Sequence, residues 1–305
     1  MAFAKTELKT FLEDEVNKVK GVYYPVKAGF LRRQLIRKVD CDKLHPNPND
    51  EFCFPDIGPN LEIISGYAKQ YREAGGSLLQ LKYMNSGASE PIIVEKTSPD
   101  GYMILNGHHR WIAAKRSGFR KIPVQIVDLT QEKDIREVLD KTAARKRDVL
   151  DLDEVVFCAE DDPNCEKPLG FPANRFFKER IRLGIPALFH YLNDRGYDIW
   201  VYTPNYYSQD NIRRLFRHYH VRVAGIVTGT ARKGPRDTDT VRELNKLMES
   251  KYESATHIDP NTVFRTVSGK KGIESHELRN TGAVWSGEVM EIIGEMDRHE
   301  QSDQP

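Results

Sequence analysis

The sequence predicts an α/β protein with two domains, an amino-terminal α+β domain and a carboxy-terminal doubly wound parallel sheet. Three observations lead to this prediction. The chain of 305 residues is long enough for two domains. Strand-like apolar runs alternate with amphipathic helix-like segments between residues 149 and 259, a pattern that is typical of parallel sheets. A strand, a turn, a helix and another strand follow one another between residues 101 and 127.

The domain boundaries follow from composition and hydrophobic periodicity. We predict a helical extension over residues 1–33, a first domain over 34–130 and a linker helix over 131–147. The second domain is predicted over 148–296, and a polar, disordered tail over 297–305. Because 39% of the residues are hydrophobic, the chain has enough apolar side chains for a core in each domain.

Charge and composition exclude several function classes. The chain has 46 basic and 45 acidic side chains, for a net charge of +1. Nucleic-acid binders usually carry a basic surplus or stripe, so we expect no nucleic-acid partner. No apolar run is long enough for a membrane span, and the amino terminus lacks the apolar segment of a signal peptide. We therefore expect a cytoplasmic protein without a membrane partner. The oligomeric state is left open.

A turn that carries two histidines and an arginine marks the first candidate site. Tyr102–Leu105 is predicted as a strand, Asn106 and Gly107 as a turn, and a helix is expected from His108 to a stop near Gly118. The free amide groups and positive dipole end of a helix start favour a bound phosphate. We therefore predict a phosphate-binding group formed by Asn106, Gly107, His108, His109 and Arg110.

This segment resembles the ParB/sulfiredoxin fold. The last strand of that fold reads Ile-Pro-Val, and it is matched within Lys121–Val127. An opening strand with a proline-rich exit is matched by Val39–Pro48, and a middle strand by Glu90–Glu95. The resemblance covers roughly residues 34–130. It implies a nucleotide-binding domain, since members of the fold bind CTP in chromosome partition or transfer phosphate from ADP or ATP to free serine.

The Asn-Gly-His-His-Arg form of the turn is similar to the free-serine-kinase branch. His108 stands where sulfiredoxins have their active cysteine, and no DNA-reading helix-turn-helix follows residue 130. In the kinases an acidic residue after the opening strand acts as the base, which implies Glu51, with Asp50 as the alternative. The surrounding loop carries Phe52 and Phe54, so it either folds over a ligand or places these rings in the core.

Acidic and hydroxyl residues end the strands of the predicted second sheet. One apolar run stops on Asp151 and Asp153, and a second strand ends at Thr203. Lys233 follows a third strand, and Asp259 ends a fourth. Ligands of doubly wound sheets bind beyond the carboxyl ends of the strands. Neighbouring carboxylates repel each other unless a cation or a proton lies between them, so the pair indicates either a magnesium site or an ordinary surface Asp-x-Asp turn.

The order of these residues resembles the haloacid-dehalogenase (HAD) superfamily of phosphatases and phosphotransferases. Its first motif, Asp-x-Asp-x-(Thr or Val), is matched at every position of residues 151–155. The resemblance implies that Asp151 attacks phosphorus, that Asp153 protonates the leaving oxygen, and that Thr203 and Lys233 bind phosphate oxygens. It also implies Mg²⁺ held by Asp151, Asp153 and Asp259.

Two departures from the HAD pattern bear on that chemistry. Glu154 stands where many members have glycine, and Asn261 stands where the fourth motif usually has a second acid. An asparagine supplies an oxygen ligand without a charge, so these departures weaken the predicted metal site.

Two function classes remain. The first is a magnesium-dependent phosphoryl-transfer enzyme acting on a small phosphorylated metabolite, with a ParB-like domain that binds ADP, ATP or CTP and acts as a serine-like amino-acid kinase. The second is a nucleotide-sensing regulatory protein with a catalytically degenerate HAD-like half. The intact residues Asp151, Asp153, Thr203 and Lys233 favour the enzyme.

Overall fold

Two units with separate sheets make up the chain. The structure is a computed structural model that describes residues 5–230, 243, 246–269, 272–280 and 282–302. The contacts between residues define an amino-terminal unit that ends at Leu129 and a carboxy-terminal unit that begins at Thr130. Both units combine helices with strands, so the fold is mixed α/β.

The amino-terminal unit is built on a six-stranded sheet. Its strands are β1 (Tyr24–Pro25), β2 (Arg37–Asp40), β3 (Leu44–His45), β4 (Ile92–Ser98), β5 (Tyr102–Asn106) and β6 (Lys121–Val127). The order is β2-β6-β4-β5-β3, and β1 pairs with β4. Strand β4 runs parallel to β6 and antiparallel to β5. Strand β5, which ends at Asn106, therefore lies next to the central strand β4.

The helices of this unit surround a core in which α5 is deeply buried. They are α1 (Lys5–Val19), α2 (Phe30–Arg33), α3 (Leu61–Glu73), α4 (Leu78–Tyr83) and α5 (His108–Arg116). Helix α3 begins at Asn60, whose Oδ1 accepts hydrogen bonds from the next amides along the helix. Trp111 of α5 is fully buried, and its Nε1 donates to the carbonyl of Cys41 at 3.0 Å. This packing fixes the position of α5 on the sheet.

The carboxy-terminal unit contains a six-stranded sheet in the order β11-β10-β7-β12-β13-β14. The strands of the unit are β7 (Lys146–Asp151), β8 (Phe157–Cys158), β9 (Arg180–Ile181), β10 (Tyr197–Thr203), β11 (Gly225–Thr228), β12 (Ser254–Ile258), β13 (Thr262–Val267) and β14 (Ile273–Glu277). Strands β11, β10, β7 and β12 are parallel, as the alternation of strands and helices predicts. Strands β13 and β14 extend the sheet in antiparallel fashion, which the sequence analysis did not predict.

Helices of the carboxy-terminal unit supply the apolar side chains that cover this sheet. They are α6 (Glu132–Lys141), α7 (Ile185–Asp194), α8 (Gln209–His218), α9 (described over residues 246–251) and α10 (Trp285–Ser302). Phe189, Phe216 and Trp285 are buried between helices and sheet. None of the helices in the described parts of either unit is long and apolar enough to cross a membrane.

The strand that carries the first acidic pair ends earlier than predicted. Strand β7 stops at Asp151, and Leu152–Val156 forms a π-helical turn, so Asp153, which was also predicted to end the strand, lies outside it. Asp151 Oδ1 accepts hydrogen bonds from the amides of Asp153 and Glu154, each at 2.8 Å. These bonds turn the chain out of the sheet, so Asp151 and Asp153 are not neighbours on one face of a strand.

Two predicted boundaries also differ from the structure. The predicted linker helix over 131–147 ends at Lys141, because Lys146 already belongs to β7. The predicted disordered tail over 297–305 is helical as far as Ser302, whereas 303–305 lie outside the described residues. Asp297 holds this part of α10, since its carboxylate lies 3.2 Å from Lys146 Nζ and 3.1 Å from Arg265 Nη2.

The cysteines divide into one bonded pair and two free thiols. Cys158 and Cys165 form a disulfide, a pairing that the sequence analysis did not predict. It joins β8 to the loop that precedes β9. Cys41 and Cys53 in the amino-terminal unit are free, and burial raises the pKa of each thiol to about 12.

Candidate functional site

The turn between β5 and α5 is the first candidate site. Gly107 has a φ of 101°, in the left-handed region that favours glycine. A Cβ at this position would lie 3.1 Å from both Arg110 Nη2 and Ile92 Cγ1. The amides of residues 108–110 have no intrahelical acceptor, and Gly107 has no side chain to cap them. The turn therefore presents backbone donors at the positive end of a helix dipole.

His108 is buried and holds the start of the loop over residues 46–60, which joins β3 to α3, against the turn. Its Nε2 accepts a hydrogen bond from the amide of Asn47 at 3.2 Å, and its Nδ1 lies 3.6 Å from Asp50 Oδ1. The ring of Phe52 stacks on it with centroids 5.2 Å apart. Burial lowers the pKa of His108 from 6.5 to about 4. The imidazole is therefore neutral at pH 7, and its accepting Nε2 requires the proton on Nδ1, beside Asp50.

His109 holds the other end of the same loop. Its Nε2 accepts a hydrogen bond from the amide of Asn60 at 3.0 Å, and Phe52 meets its ring edge-on at 4.9 Å. Burial lowers the pKa of His109 as well. We call the hydrogen bonds of His108 with Asn47 and of His109 with Asn60 the histidine clasp. Both ring nitrogens that accept in the clasp are bonded to the protein's own backbone.

Arg110 lies against the turn with both arms of its guanidinium engaged. It is 6% exposed. Nη1 donates to Glu90 Oε2 at 2.6 Å, and Nη2 donates to Asn106 Oδ1 at 3.0 Å. Glu90 itself is largely exposed, so its carboxylate is free to move away. The structure brings all five residues of the predicted phosphate-binding group together. The side chains of four of them already have hydrogen-bond partners within the protein, namely Asn106, His108, His109 and Arg110.

The clasped loop carries both acidic residues proposed as the base. Asp50 accepts a hydrogen bond from the amide of Phe52 at 3.0 Å, and so caps a 3₁₀ helix over Glu51–Cys53. The ring of Phe52 is buried, in line with the core alternative for this residue. Glu51 is exposed. Asp50 is therefore occupied in local structure, whereas the Glu51 carboxylate faces solvent.

The strand ends of the carboxy-terminal unit form the second candidate site. Asp151 ends β7 and pairs in register with Tyr202, next to Thr203 at the end of β10. Thr203 is fully buried. Its Oγ1 donates to Asp153 Oδ2 at 2.5 Å and accepts from the amide of Asn205 at 3.0 Å. The structure therefore brings Asp151, Asp153 and Thr203 together at one edge of the sheet.

Tyr207 is a residue of this second site that the sequence analysis missed. It hydrogen bonds to Asp153, and burial together with that carboxylate raises the pKa of its hydroxyl. Its ring meets Phe157 edge-on with centroids 5.9 Å apart. The only signal in the sequence is its place shortly after the strand end, which is too weak to identify it.

Of the other two residues predicted for the second site, Asp259 lies near the strand ends, and Lys233 lies outside the described residues. Ile258 of β12 pairs in register with Leu150 of β7, so Asp259 follows directly beside the end of β7. Its side chain is exposed, and its amide donates to the carbonyl of Thr262 at 2.8 Å.

The fit of the second site to Mg²⁺ follows from these positions. Among the described residues, no three or more His, Cys, Asp or Glu side chains are grouped so that they could hold a metal ion. Asp151, Asp153 and Asp259 therefore do not fit Mg²⁺ as they stand. Mg²⁺ remains an expectation of the HAD resemblance.

Comparison with known proteins identifies the region around the first site. Residues 70–142 match the ParB N-terminal domain. This span contains β4, β5, α5 and β6, and with them the Gly107 turn. The chain thus combines a ParB-like domain with further mixed α/β structure. The HAD resemblance of the carboxy-terminal unit is not shown by this match and remains a proposal.

Several curated proteins are similar to parts of the chain. An ATP-dependent L-serine kinase of Staphylothermus marinus is 33% identical over 76 residues, which is 24% of this chain and 27% of the kinase. An ATP-dependent L-serine kinase of Desulfurococcus mucosus is 37% identical over 68 residues, which is 18% of this chain and 27% of that kinase. An uncharacterized protein of Methanocaldococcus jannaschii is 32% identical over 103 residues, covering 33% and 37%. The chain thus spans about a quarter to just over a third of the length of these relatives.

Among solved structures, that of a chromosome-partitioning protein is similar to part of the chain. The truncated ParB of Caulobacter crescentus complexed with CTP-gamma-S is 25% identical, and the likeness covers 36% of this chain and 56% of that chain. The TM-score of 0.24 is too low to carry an argument.

Proposed function

We propose that the amino-terminal unit binds a nucleotide at the Gly107 turn and transfers its terminal phosphoryl group to the hydroxyl of a serine-like amino acid. The observation that carries this proposal is the start of α5, where the amides of residues 108–110 lack an intrahelical acceptor behind a glycine with a φ of 101°. The similarity to ATP-dependent L-serine kinases supports the choice of reaction.

Each residue of the Gly107 turn has a role in the proposed nucleotide binding. The backbone amides bind the phosphates, and Arg110 stays beside them, where it can exchange the exposed Glu90 for a phosphate oxygen. His108 and His109 hold the loop in place through the histidine clasp. The predicted phosphate-binding role of these two histidines is then exerted through their amides and not through their rings.

Glu51 is proposed as the general base. The substrate hydroxyl oxygen attacks the terminal phosphorus, and its proton passes to the Glu51 carboxylate. The bond from phosphorus to the bridging oxygen breaks, and its electron pair leaves with the nucleotide, as ADP when the donor is ATP. Glu51 suits this role because it is exposed on a loop that is anchored at both ends to the nucleotide-binding turn.

The test is formation of O-phosphoserine from serine with ATP or ADP, followed by ³¹P NMR. Glu51→Gln is expected to lower kcat by about 100-fold or more, while the Kd for the nucleotide is unchanged. Glu62→Gln, an equally exposed acid at the start of α3, is the matched control and should behave as wild type. If O-phosphoserine forms neither with ATP nor with ADP, the proposed kinase activity is wrong.

A nucleotide-sensing regulator is the alternative for this unit. It shares the Gly107 turn but carries out no turnover. Titration of ADP, ATP and CTP into wild type and Arg110→Ala separates the alternatives when it is combined with the kinase assay. Binding that depends on Arg110 without any product formation favours the regulator.

For the carboxy-terminal unit we propose a HAD-like phosphotransferase or phosphatase site. The observation that favours it is the meeting of Asp151, Asp153 and Thr203 at one edge of a parallel sheet. Asp151 Oδ1 is held by two amides. Within the described chain its Oδ2 accepts no hydrogen bond, so this oxygen is open for attack on phosphorus. Asp153 would then protonate the leaving oxygen, and Thr203 and Lys233 would contact the phosphate.

Hydrolysis of a chromogenic phosphate ester tests this second site, with and without added Mg²⁺. Asp151→Asn is expected to abolish turnover, because an amide oxygen is a poor nucleophile. Asp161→Asn changes an exposed aspartate of the same unit and serves as the control. Equal rates in wild type and Asp151→Asn would contradict the phosphatase.

A further inference from the structure

A cavity of about 550 Å³ opens on the sheet of the carboxy-terminal unit, apart from the strand ends. Its floor is formed by strands β7, β12 and β13, and one wall by α9 and the residue that follows it. Arg147 lies four residues before Asp151 along β7, a separation of roughly 13 Å. The side chains that matter for its chemistry are Arg147, Met248, Glu249, Tyr252, His257 and Ser268.

Strand alternation places the polar floor residues on one face. His257 of β12 pairs in register with Val149, which is two residues beyond Arg147 on β7, so Arg147 and His257 face the same side of the sheet. His257 stacks on Phe264 of β13 with ring centroids 4.5 Å apart. Burial and the Arg147 charge lower the pKa of His257, which leaves its imidazole neutral at pH 7.

Within the part of the chain that the structure describes, Arg147 has no carboxylate partner. Its Nη1 contacts the weak acceptor Met248 Sδ at 3.3 Å, and its guanidinium lies 5.6 Å from the centre of the Tyr252 ring. Nε is buried and has no hydrogen-bond partner. Across the residues that the structure describes, no acid lies within ion-pairing distance of it.

The neighbouring cations show how unusual this is. Arg145 pairs with Glu253 at 2.8 Å, and Lys146 pairs with Glu300 at 2.6 Å. A half-buried guanidinium without a partner is unfavourable, because its desolvation is not offset by an opposite charge. An anion in the cavity would supply that charge.

We propose that this cavity binds a small oxyanion, a carboxylate or a phosphate monoester, through the guanidinium of Arg147. A planar guanidinium binds either group through two parallel hydrogen bonds. Repulsion by the exposed carboxylate of Glu249, a lining residue, grows with the charge of the ligand, so a polyphosphate is disfavoured relative to a carboxylate or a phosphate monoester. The site is independent of both proposed reactions, since it contains neither the Gly107 turn nor the strand ends.

Titration of the full chain with inorganic phosphate and, separately, with acetate tests the site. The signal is the side-chain NMR resonance of His257, a lining residue that every variant retains. The two probes distinguish a phosphate ligand from a carboxylate ligand. Saturable binding is expected for at least one probe. Arg147→Gln should weaken it by about 10- to 100-fold, which corresponds to the loss of charge-assisted hydrogen bonds.

Two controls define the site. Arg136→Gln removes an exposed arginine of α6 that pairs with Glu132, and should leave binding unchanged. Asp151→Asn should also leave it unchanged, because binding at the strand ends would respond to that substitution. Binding to Arg147→Gln as tight as to wild type, or the absence of saturation with both probes, overturns the proposal.

A second variant keeps the test decisive if Arg147→Gln fails to fold. Ser268 is exposed at the rim, and Ser268→Trp fills the mouth of the cavity while the guanidinium is retained. Loss of binding in Ser268→Trp supports the cavity as the site. Unchanged binding in that variant overturns it.

Discussion

The Gly107 turn and the strand ends of the carboxy-terminal unit use their polar groups in opposite ways. In the turn, the side chains of His108 and His109 are bonded to the protein's own loop, and the backbone amides of α5 remain for a ligand. At the strand ends, backbone amides hold Asp151 Oδ1, and a side-chain oxygen remains. The first site therefore depends on backbone conformation, and the second depends on side-chain chemistry.

The largest expected effect is the pH dependence of the histidine clasp. The pKa of His108 is about 4 in the folded protein and 6.5 in the unfolded chain, so the unfolded chain takes up a proton first as the pH falls. The stabilisation is fully present above pH 6.5 and is lost between 6.5 and about 4, by up to about 3 kcal/mol. Hydrogen exchange of the β4 and β6 amides, compared at pH 7 and pH 4.5, measures this loss in the free energy of unfolding.

Two variants isolate the contribution of the clasp. His108→Gln removes the titrating ring and should flatten the pH dependence of the amino-terminal unit. His190→Gln removes an exposed histidine of the other unit and should leave the pH dependence intact. An equally steep profile in His108→Gln would show that another group controls the acid sensitivity.

Gly107→Ala tests the dependence of the first site on backbone conformation. The new methyl group would contact Arg110 and Ile92 at 3.1 Å, and alanine disfavours the positive φ. We expect nucleotide affinity to fall by about 100-fold, or about 2.7 kcal/mol, in calorimetric titration with ADP. Gly118→Ala is the matched control. Gly118 also has a positive φ, but no atom lies within 4 Å of its Cβ position, so only stability should change, by about 1 kcal/mol.

Thr203→Val tests the dependence of the second site on side-chain chemistry. It removes the hydroxyl that donates to Asp153 Oδ2, and leaves that buried contact unmade. The free energy of unfolding should fall by about 1–3 kcal/mol, measured by urea denaturation. Thr203→Ser retains the hydroxyl and should recover most of the loss. Equal stability of the valine and serine variants would argue that the hydrogen bond contributes nothing.

The smallest effect is expected for Asp50→Asn. Asparagine caps a helix start as well as aspartate does, so stability should change by a few tenths of a kcal/mol. The Asp50 charge raises the pKa of His108, so its removal should lower that pKa further. An NMR titration of the His108 ring measures the change, with Asp56→Asn, an exposed acid of the same loop, as the control. A rise in the pKa would contradict the assigned proton on Nδ1.

Sequence periodicity predicted the elements that present the two sites. The apolar runs at β5, β6 and β10 and the glycine before α5 are local signals, and the structure places these elements where the patterns indicate. The π-helical turn after Asp151 was not predicted, because the apolar run was expected to end as a strand on Asp151 and Asp153. Hydrogen bonds from the amides of Asp153 and Glu154 to the Asp151 carboxylate determine that turn, and hydrophobicity does not encode them.

The partners of the two histidines could not be read from the sequence. Asn47 is 61 positions from His108, and Asn60 is 49 positions from His109. Both donors are backbone amides, which every residue except proline carries, so residue identity holds no signal for them. The antiparallel extension by β13 and β14 was missed for a related reason, since strand direction follows from pairing and not from composition.

Strand β14 lies at the outer edge of the carboxy-terminal sheet and carries Glu274, His276 and Glu277. An edge strand offers unpaired amides and carbonyls to any other extended chain, so it is a starting point for fibril growth. A second copy of this strand would bring further glutamates close to the first pair, and their repulsion disfavours such addition. The carboxylates of β14 are therefore expected to disfavour edge-to-edge pairing of two molecules.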